Sequence, residues 1–452
     1  MLALRLTRGS HPAVQLRRLL VAVASAGTGF LLLCTLGYAM GHPDSPAAAA
    51  LRLAWCATPL AATVYFAVAV ARTDPATKPR PGLSAIGLGP GRLMAISATT
   101  TALACTLGSM LALLFFLHLR GDLTGMPFDG AAAEFLASDT PLPLPAALTL
   151  LAIVPATASV SVALTLRPKD TSPKSAPRSY GRFGAYGRSG TRETFGTYGR
   201  FGAHLRTGGR KAEVEETPAP APEPAADAEP TATVTVTGPV DLDPTRPPAP
   251  REVPKGLPWG VAVLAAGLAV EAYANRTADT DGLSMPGGHA GGPAGVLAGW
   301  VLTALGLALA GPGLTHLCGR LLQAVRPGAL RLLAGRVLME EATRIGRPLG
   351  VVCAVASGAY AMTALYDTDA AVGPLTTLGT LLVTGCTVAT LLTAAVEARQ
   401  ARADTTAALV RLGAPATVLR SAAALRAGAL LALFVPLTVV IAELAALPLA
   451  HR

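Results

Sequence analysis

The apolar residues of this chain fall into runs of about twenty, the length of helix that crosses a hydrocarbon core of about 30 Å at about 1.5 Å per residue. About nine such runs are present, at 19–40, 53–71, 93–117, 144–166, 257–274, 295–316, 349–366, 376–396 and 424–447. In lipid every backbone N–H and C=O must be satisfied within its own segment, so runs of this length predict helices. Composition agrees: 51% of the 452 residues are apolar and only 14% charged, against about 25% charged in an average soluble domain. A soluble chain so poor in charge would have nothing with which to coat its surface. The expected fold is all-α, a polytopic transmembrane helical bundle.

The basic residues lie between the runs. The net charge of +10 therefore reads as a topology signal, and nucleic acid is not an expected partner. Placing the N-terminus inside puts Arg5, Arg8, Arg17 and Arg18 on that side. The next inside loops hold Arg72, Lys78, Arg80 and Arg92, then the tract from Arg167 and Lys169, then Arg320 to Arg347, then Arg399, Arg402, Arg411 and Arg420. The outside loops hold Arg52, Arg120 and Arg276 among Asp44, Asp122, Glu134, Asp139, Asp279, Asp281, Asp367 and Asp369. The expectation is a multi-pass protein of the cell membrane with its C-terminus outside. Arg17 and Arg18 ahead of the run from Leu19 also fit a secretory leader, but the length of that run and the spans after it assign it as a first transmembrane helix.

Residues 168–256 interrupt the pattern. They are rich in Pro, Gly, Ser, Thr and Ala, basic at first and then acidic, and Tyr180-Gly181-Arg182-Phe183-Gly184-Ala185 recurs as Tyr198-Gly199-Arg200-Phe201-Gly202-Ala203. Such a composition cannot bury enough apolar surface to offset its ordering entropy. A disordered cytoplasmic linker is expected, dividing a four-span block at 1–167 from a five-span block at 257–452.

The two blocks share local patterns. Arg18-Leu19 leads to Val23-Ala24-Ser25-Ala26-Gly27, and Arg347-Pro348-Leu349 leads to Val355-Ala356-Ser357-Gly358. Each follows a stretch of basic and apolar residues, at 2–16 and 328–345, suited to lie along the inner membrane surface. Likewise Leu83 to Pro90 and Ala407 to Ala414 each end a short helical stretch at Leu-Gly, after an outside-to-inside span and before Arg92 or Arg420. Glycine at such a place is a helix-stop signal. A duplicated unit is expected, each copy presenting a short helix between two spans.

Motifs of chemistry are missing. The sequence has no G-x-x-x-x-G-K-[ST], H-E-x-x-H or G-x-S-x-G, and its six cysteines fall in or beside apolar runs without a C-x-x-C pair. The cysteines are expected to pack between helices, and no catalytic residue, cofactor or metal site is expected, His316 and Cys318 being poorly spaced to share a helix face. Glu271 and Glu443 lie toward the outer ends of their spans, within reach of head groups, and Glu397 lies at an inner end.

The last third resembles the C-terminal core of FtsX/MacB-like permeases of ABC transporters. In that family a cytoplasmic coupling segment close to E-x-x-x-L-R-x-L-G-A joins two helices. Here Glu397 and Arg402 lead to Leu409-Val410-Arg411-Leu412-Gly413-Ala414 and then Arg420. The arginine stands one place later than in the family pattern, Asp404 is the nearest counterpart of its glutamate, and no large extracytoplasmic domain interrupts either copy. Residues 328–447 correspond to the family core, and 78–117, with Leu88, Gly89 and Arg92, to an N-terminal coupling segment. The resemblance implies a non-enzymatic permease subunit of the two-copy type. It would couple ATP hydrolysis on a separate ABC ATP-binding subunit to transport or signalling, with a homodimer left open. Two alternatives stand beside it: a membrane scaffold or sensor acting through its linker, and an ion-coupled secondary transporter.

Overall fold

A computed structural model describes residues 12–74, 90–123, 130–167, 256–277, 294–324, 328–365, 373–413 and 415–450. These residues are almost entirely helical and contain no strand. The chain divides into two units, one of residues 1–169 with 251–452 and one of residues 170–250, the second lying wholly outside the described residues. The expected linker therefore lies outside them as well, apart from Gly256. So do 2–11 of the first lead-in stretch, and Leu88 and Gly89.

The helices are α1 (Pro12–Gly41), α2 (Pro46–Trp55), α3 (Ala57–Thr73), α4 (Pro90–Arg120), α5 (Leu144–Leu166), α6 (Gly256–Thr277), α7 (Ala294–Ala324), α8 (Ala329–Leu365), α9 (Pro374–Ala401), α10 (Ala403–Arg411) and α11 (Ala416–Ala450). Proline stands in the first turn of α2, α5 and α9, where its missing N–H would have had no helical partner. Eight segments among the described residues are long and apolar enough to cross a membrane: α1, α2 with α3, α4, α5, α6, α7, α9 and α11. The remaining expected span, 349–366, falls in the second half of α8, which ends at Leu365, so it starts inside a longer helix and not at a helix start. Its first half carries Arg331, Arg336, Glu340, Glu341, Arg344 and Arg347, and the helix runs on through Pro348 without a break. The stretch at 328–345 is thus no separate surface helix. Ala334, Leu338 and Ala342 are buried, and Gly335 meets Gly319 of α7.

Polarity is distributed as a bilayer requires. Leu103, Leu107, Leu111, Leu114 and Phe115 of α4 are exposed, as are Leu381 and Leu392 of α9 and Leu431 and Val435 of α11. Several hydroxyls lie inside: Ser25, Thr28, Thr63, Ser109, Thr303, Thr390 and Thr393 are buried. In water that arrangement would be inverted; in lipid, interhelical packing and hydrogen bonds hold helices together.

One core joins Leu307 of α7, Cys353 of α8 and Phe434 and Ile441 of α11. A second gathers Val21 and Ala24 of α1, Phe66, Ala67 and Val70 of α3, Cys105 of α4 and Ala158 of α5, and it is completed by Cys386 of α9. Although α9 follows the linker in sequence, it packs against α1 and α3 as well as α8. A line of polar contacts runs across that seam. Thr28 donates to the Ala24 carbonyl at 3.0 Å, so Thr63 must be the donor to Thr28 at 2.9 Å, which leaves the Cys386 thiol to donate to Thr63 at 3.9 Å. All six cysteines are buried and free, packing between helices as expected.

Small residues set the closest crossings. A Cβ at Gly108 of α4 would lie 2.8 Å from Ser25 Cβ and closer still to the Ala22 carbonyl oxygen of α1. Gly311 of α7 is pressed in the same way on the Gly346 backbone of α8. Other small residues do not serve packing: Gly385 has nothing near it and Gly379 only Leu31 at 3.9 Å.

Candidate coupling site

The segment between α9 and α11 is the one the sequence marks most strongly. Arg402 closes α9 and opens α10, its carbonyl accepting from the Thr406 N–H at 2.8 Å and the Thr406 hydroxyl at 2.6 Å. The last turn of α10 ends when Leu412 N–H bonds to Ala408 O and Gly413 N–H to Val410 O, both at 3.0 Å. Gly413 adopts φ +86°, a left-handed conformation that costs glycine little, so the predicted helix stop is present as a C-terminal glycine cap.

The helix so bounded stands out from the bundle. Ala407, Ala408, Val410, Arg411, Leu412 and Gly413 are exposed, Leu412 to 84%. Unlike the lipid-facing leucines, Leu412 lies in a connection between two spans and shares its surface with Arg411. At its base α10 is braced. Arg402 Nε lies 2.9 Å from Glu341 Oε1 of α8, while its N–H is directed at the Ala398 carbonyl at 3.1 Å, so the contact with Glu341 is ionic. Glu341 is buried, and burial pushes its carboxyl above the usual range while Arg402, Arg426 and Arg344 pull it back. Glu341 was not singled out by sequence. Its signal was the acidic pair Glu340-Glu341 within an otherwise basic stretch.

The other predicted residues do not converge on this ion pair. Glu397 is half-buried one turn before the end of α9, Arg420 is exposed in α11, and Arg92 is exposed in the first turn of α4. Asp404, whose side chain is not described, gives no comparison with the family glutamate.

The first block repeats two of these relations. Ser25 of α1 donates to the Cys105 carbonyl of α4 at 2.9 Å, and Ser357 of α8 donates to the Thr438 carbonyl of α11 at 3.1 Å. Both serines belong to the paired Val-Ala-Ser motifs, and both acceptors lie in the span after a predicted short helix. Asp74, which closes α3, pairs with Arg18 of α1, as Arg402 closing α9 pairs with Glu341 of α8; the charges are exchanged.

Two acidic or basic side chains differ from expectation. Glu271, expected to reach head groups, is 1% exposed and accepts from Trp300 Nε1 at 2.7 Å. Arg120, an expected outside-loop charge, is buried and donates to the carbonyls of Ala137, at 3.1 Å, and Thr140. It pins the turn in which Ala137 has φ 52°.

These features define a polytopic α-helical membrane protein with a protruding, glycine-capped helix between two of its spans. No family, curated protein or solved structure matches the chain.

Proposed function

We propose that this chain is the membrane-spanning permease subunit of an ABC transporter, related to the FtsX-like group, with α10 as its coupling helix. The observation that carries the reading is the exposed turn Val410-Arg411-Leu412. Its base is tied by Arg402 to Glu341 on α8. A partner that pushes on α10 would move α9 directly and α8 through the ion pair. Those helices reach both cores, so a displacement at one end rearranges the bundle. ATP would be bound and hydrolysed by the separate subunit, and α10 would face the cytoplasm with it.

The matching serine bonds and C-terminal ion pairs of α3 and α9 support two related blocks. On this reading α3 and α9 are equivalent helices that pack on one another at the centre, and residues 78–92 form the second coupling segment. The test is ATP hydrolysis by the complex of this chain with its ATP-binding subunit. Arg411→Glu combined with Leu412→Pro should abolish the stimulation this chain gives; unchanged hydrolysis in that double variant refutes the proposal.

A further inference from the structure

Away from the coupling helix, the α6–α7 pair buries an acid that the coupling scheme does not use. Glu271 lies in the membrane-crossing segment Gly256–Arg276, about one and a half turns from its end. Its Oε1 accepts from Trp300 Nε1 at 2.7 Å; its Oε2 is buried and has no hydrogen-bond partner among the described residues. Thr303 Oγ1, on the next turn of α7, is buried in the same state. The two helices approach too closely here for intervening water. A Cβ at Gly299 would fall 2.8 Å from Glu271 Cβ, and one at Gly267 would fall 2.5 Å from Thr303 N and Oγ1.

No described cation is placed to balance a carboxylate at this position. On α6, Arg276 is exposed and five residues further on, and Tyr273 is exposed. On α7 the first cation is Arg320, twenty residues from Trp300 and therefore about 30 Å along the helix. On α11, which also packs against α6, the charges are Arg420, Arg426 and the exposed Glu443. Glu443 accepts from Tyr360 of α8 at 2.8 Å. A buried carboxyl without a counter-ion is neutralised rather than left charged, and an ionisable group inside a span marks a pathway by default.

We propose that Glu271 is a proton-binding site within the membrane, holding its carboxyl as the neutral acid while α6 and α7 are closed and exchanging the proton with water when they part. The step balances simply. A proton from hydronium forms the Oε2–H bond and cancels the carboxylate charge; on opening, that bond breaks and the proton returns to water. Trp300 holds Oε1 in both states and so directs the proton to Oε2. The site does not rest on the coupling proposal, since it involves different helices and residues.

Infrared spectra of the full chain in lipid nanodiscs near neutral pH test this. A neutral-carboxyl C=O band should be present in the parent protein and absent in Glu271→Gln. Trp300→Phe, which keeps the carboxyl, should shift the same band to higher frequency by removing its hydrogen bond, and this serves where the glutamine variant is poorly folded. Gly299→Ala, which forces the pair apart, should replace the band with carboxylate absorption. Three results would overturn the proposal: a parent spectrum without the neutral band, a band that ignores both Glu271→Gln and Trp300→Phe, or a carboxylate signal that responds to sodium concentration in place of pH.

Discussion

Replacing Gly108 by alanine isolates how much of the bundle depends on backbone contact between helices. The new Cβ would lie 2.8 Å from Ser25 Cβ and 3.0 Å from Ala26 N, with the Ala22 carbonyl oxygen nearer still. Carbon atoms rest at about 3.5–4.0 Å, so α1 and α4 must separate by about 1 Å. That shift takes the Ser25 to Cys105 bond from 2.9 Å to about 3.9 Å, beyond hydrogen-bonding range. Overpacking costs about 1–3 kcal/mol and an interhelical bond in a membrane protein about 0.6–1.7 kcal/mol. Alanine returns up to about 1 kcal/mol as the better helix former, leaving a net loss of about 1–4 kcal/mol. Gly385→Ala is the matched control: nothing lies near its Cβ, so it should be neutral or stabilising by up to about 1 kcal/mol. Reversible unfolding of both variants by detergent titration measures the contrast. Equal stability of the two, within about 0.5 kcal/mol, would refute the packing argument.

Two further outcomes test the relation between the blocks and the ion pair. Ser25→Ala and Ser357→Ala should each cost about 1 kcal/mol in the same titration. A loss confined to one of them would show that the bonds are not equivalent. The folded protein holds the Glu341 proton more tightly than the unfolded chain does. The stability from this group is therefore fully present below its ordinary value of 4.5 and is lost as pH rises above it. Glu341→Gln removes that dependence, so its stability relative to the parent should increase with pH above 4.5; parallel curves would contradict the burial of Glu341.

Much of this was legible in the sequence, because lipid converts hydropathy directly into helix length. Eight spans follow from runs of about twenty residues, and Gly413 announced the end of α10 because few other residues take φ +86° readily. The start of the ninth run was not legible as a helix boundary, because α8 continues through Pro348 and joins its charged half and its apolar half in one helix. Partners across the bundle were not legible. Thr63 and Cys386 meet 323 residues apart, and no hydrophobic contrast between lipid and leucine tells which helices pair. Glu271 shows the same limit: its position in the run gave its depth along the helix, but which way it faces depends on the glycines of α7. Glu341 escaped notice because its arginine lies in another helix, 61 positions later in the chain.

On the proposed function, the exposed turn of α10 receives an ATP-binding partner. A photo-crosslinking residue at Leu412, compared with one at the lipid-facing Leu107, tests it in native membranes. Leu412 should capture a protein which is itself labelled by an ATP photoprobe, and Leu107 should not. Capture of no ATP-binding protein at Leu412, or equal capture at both positions, would contradict it.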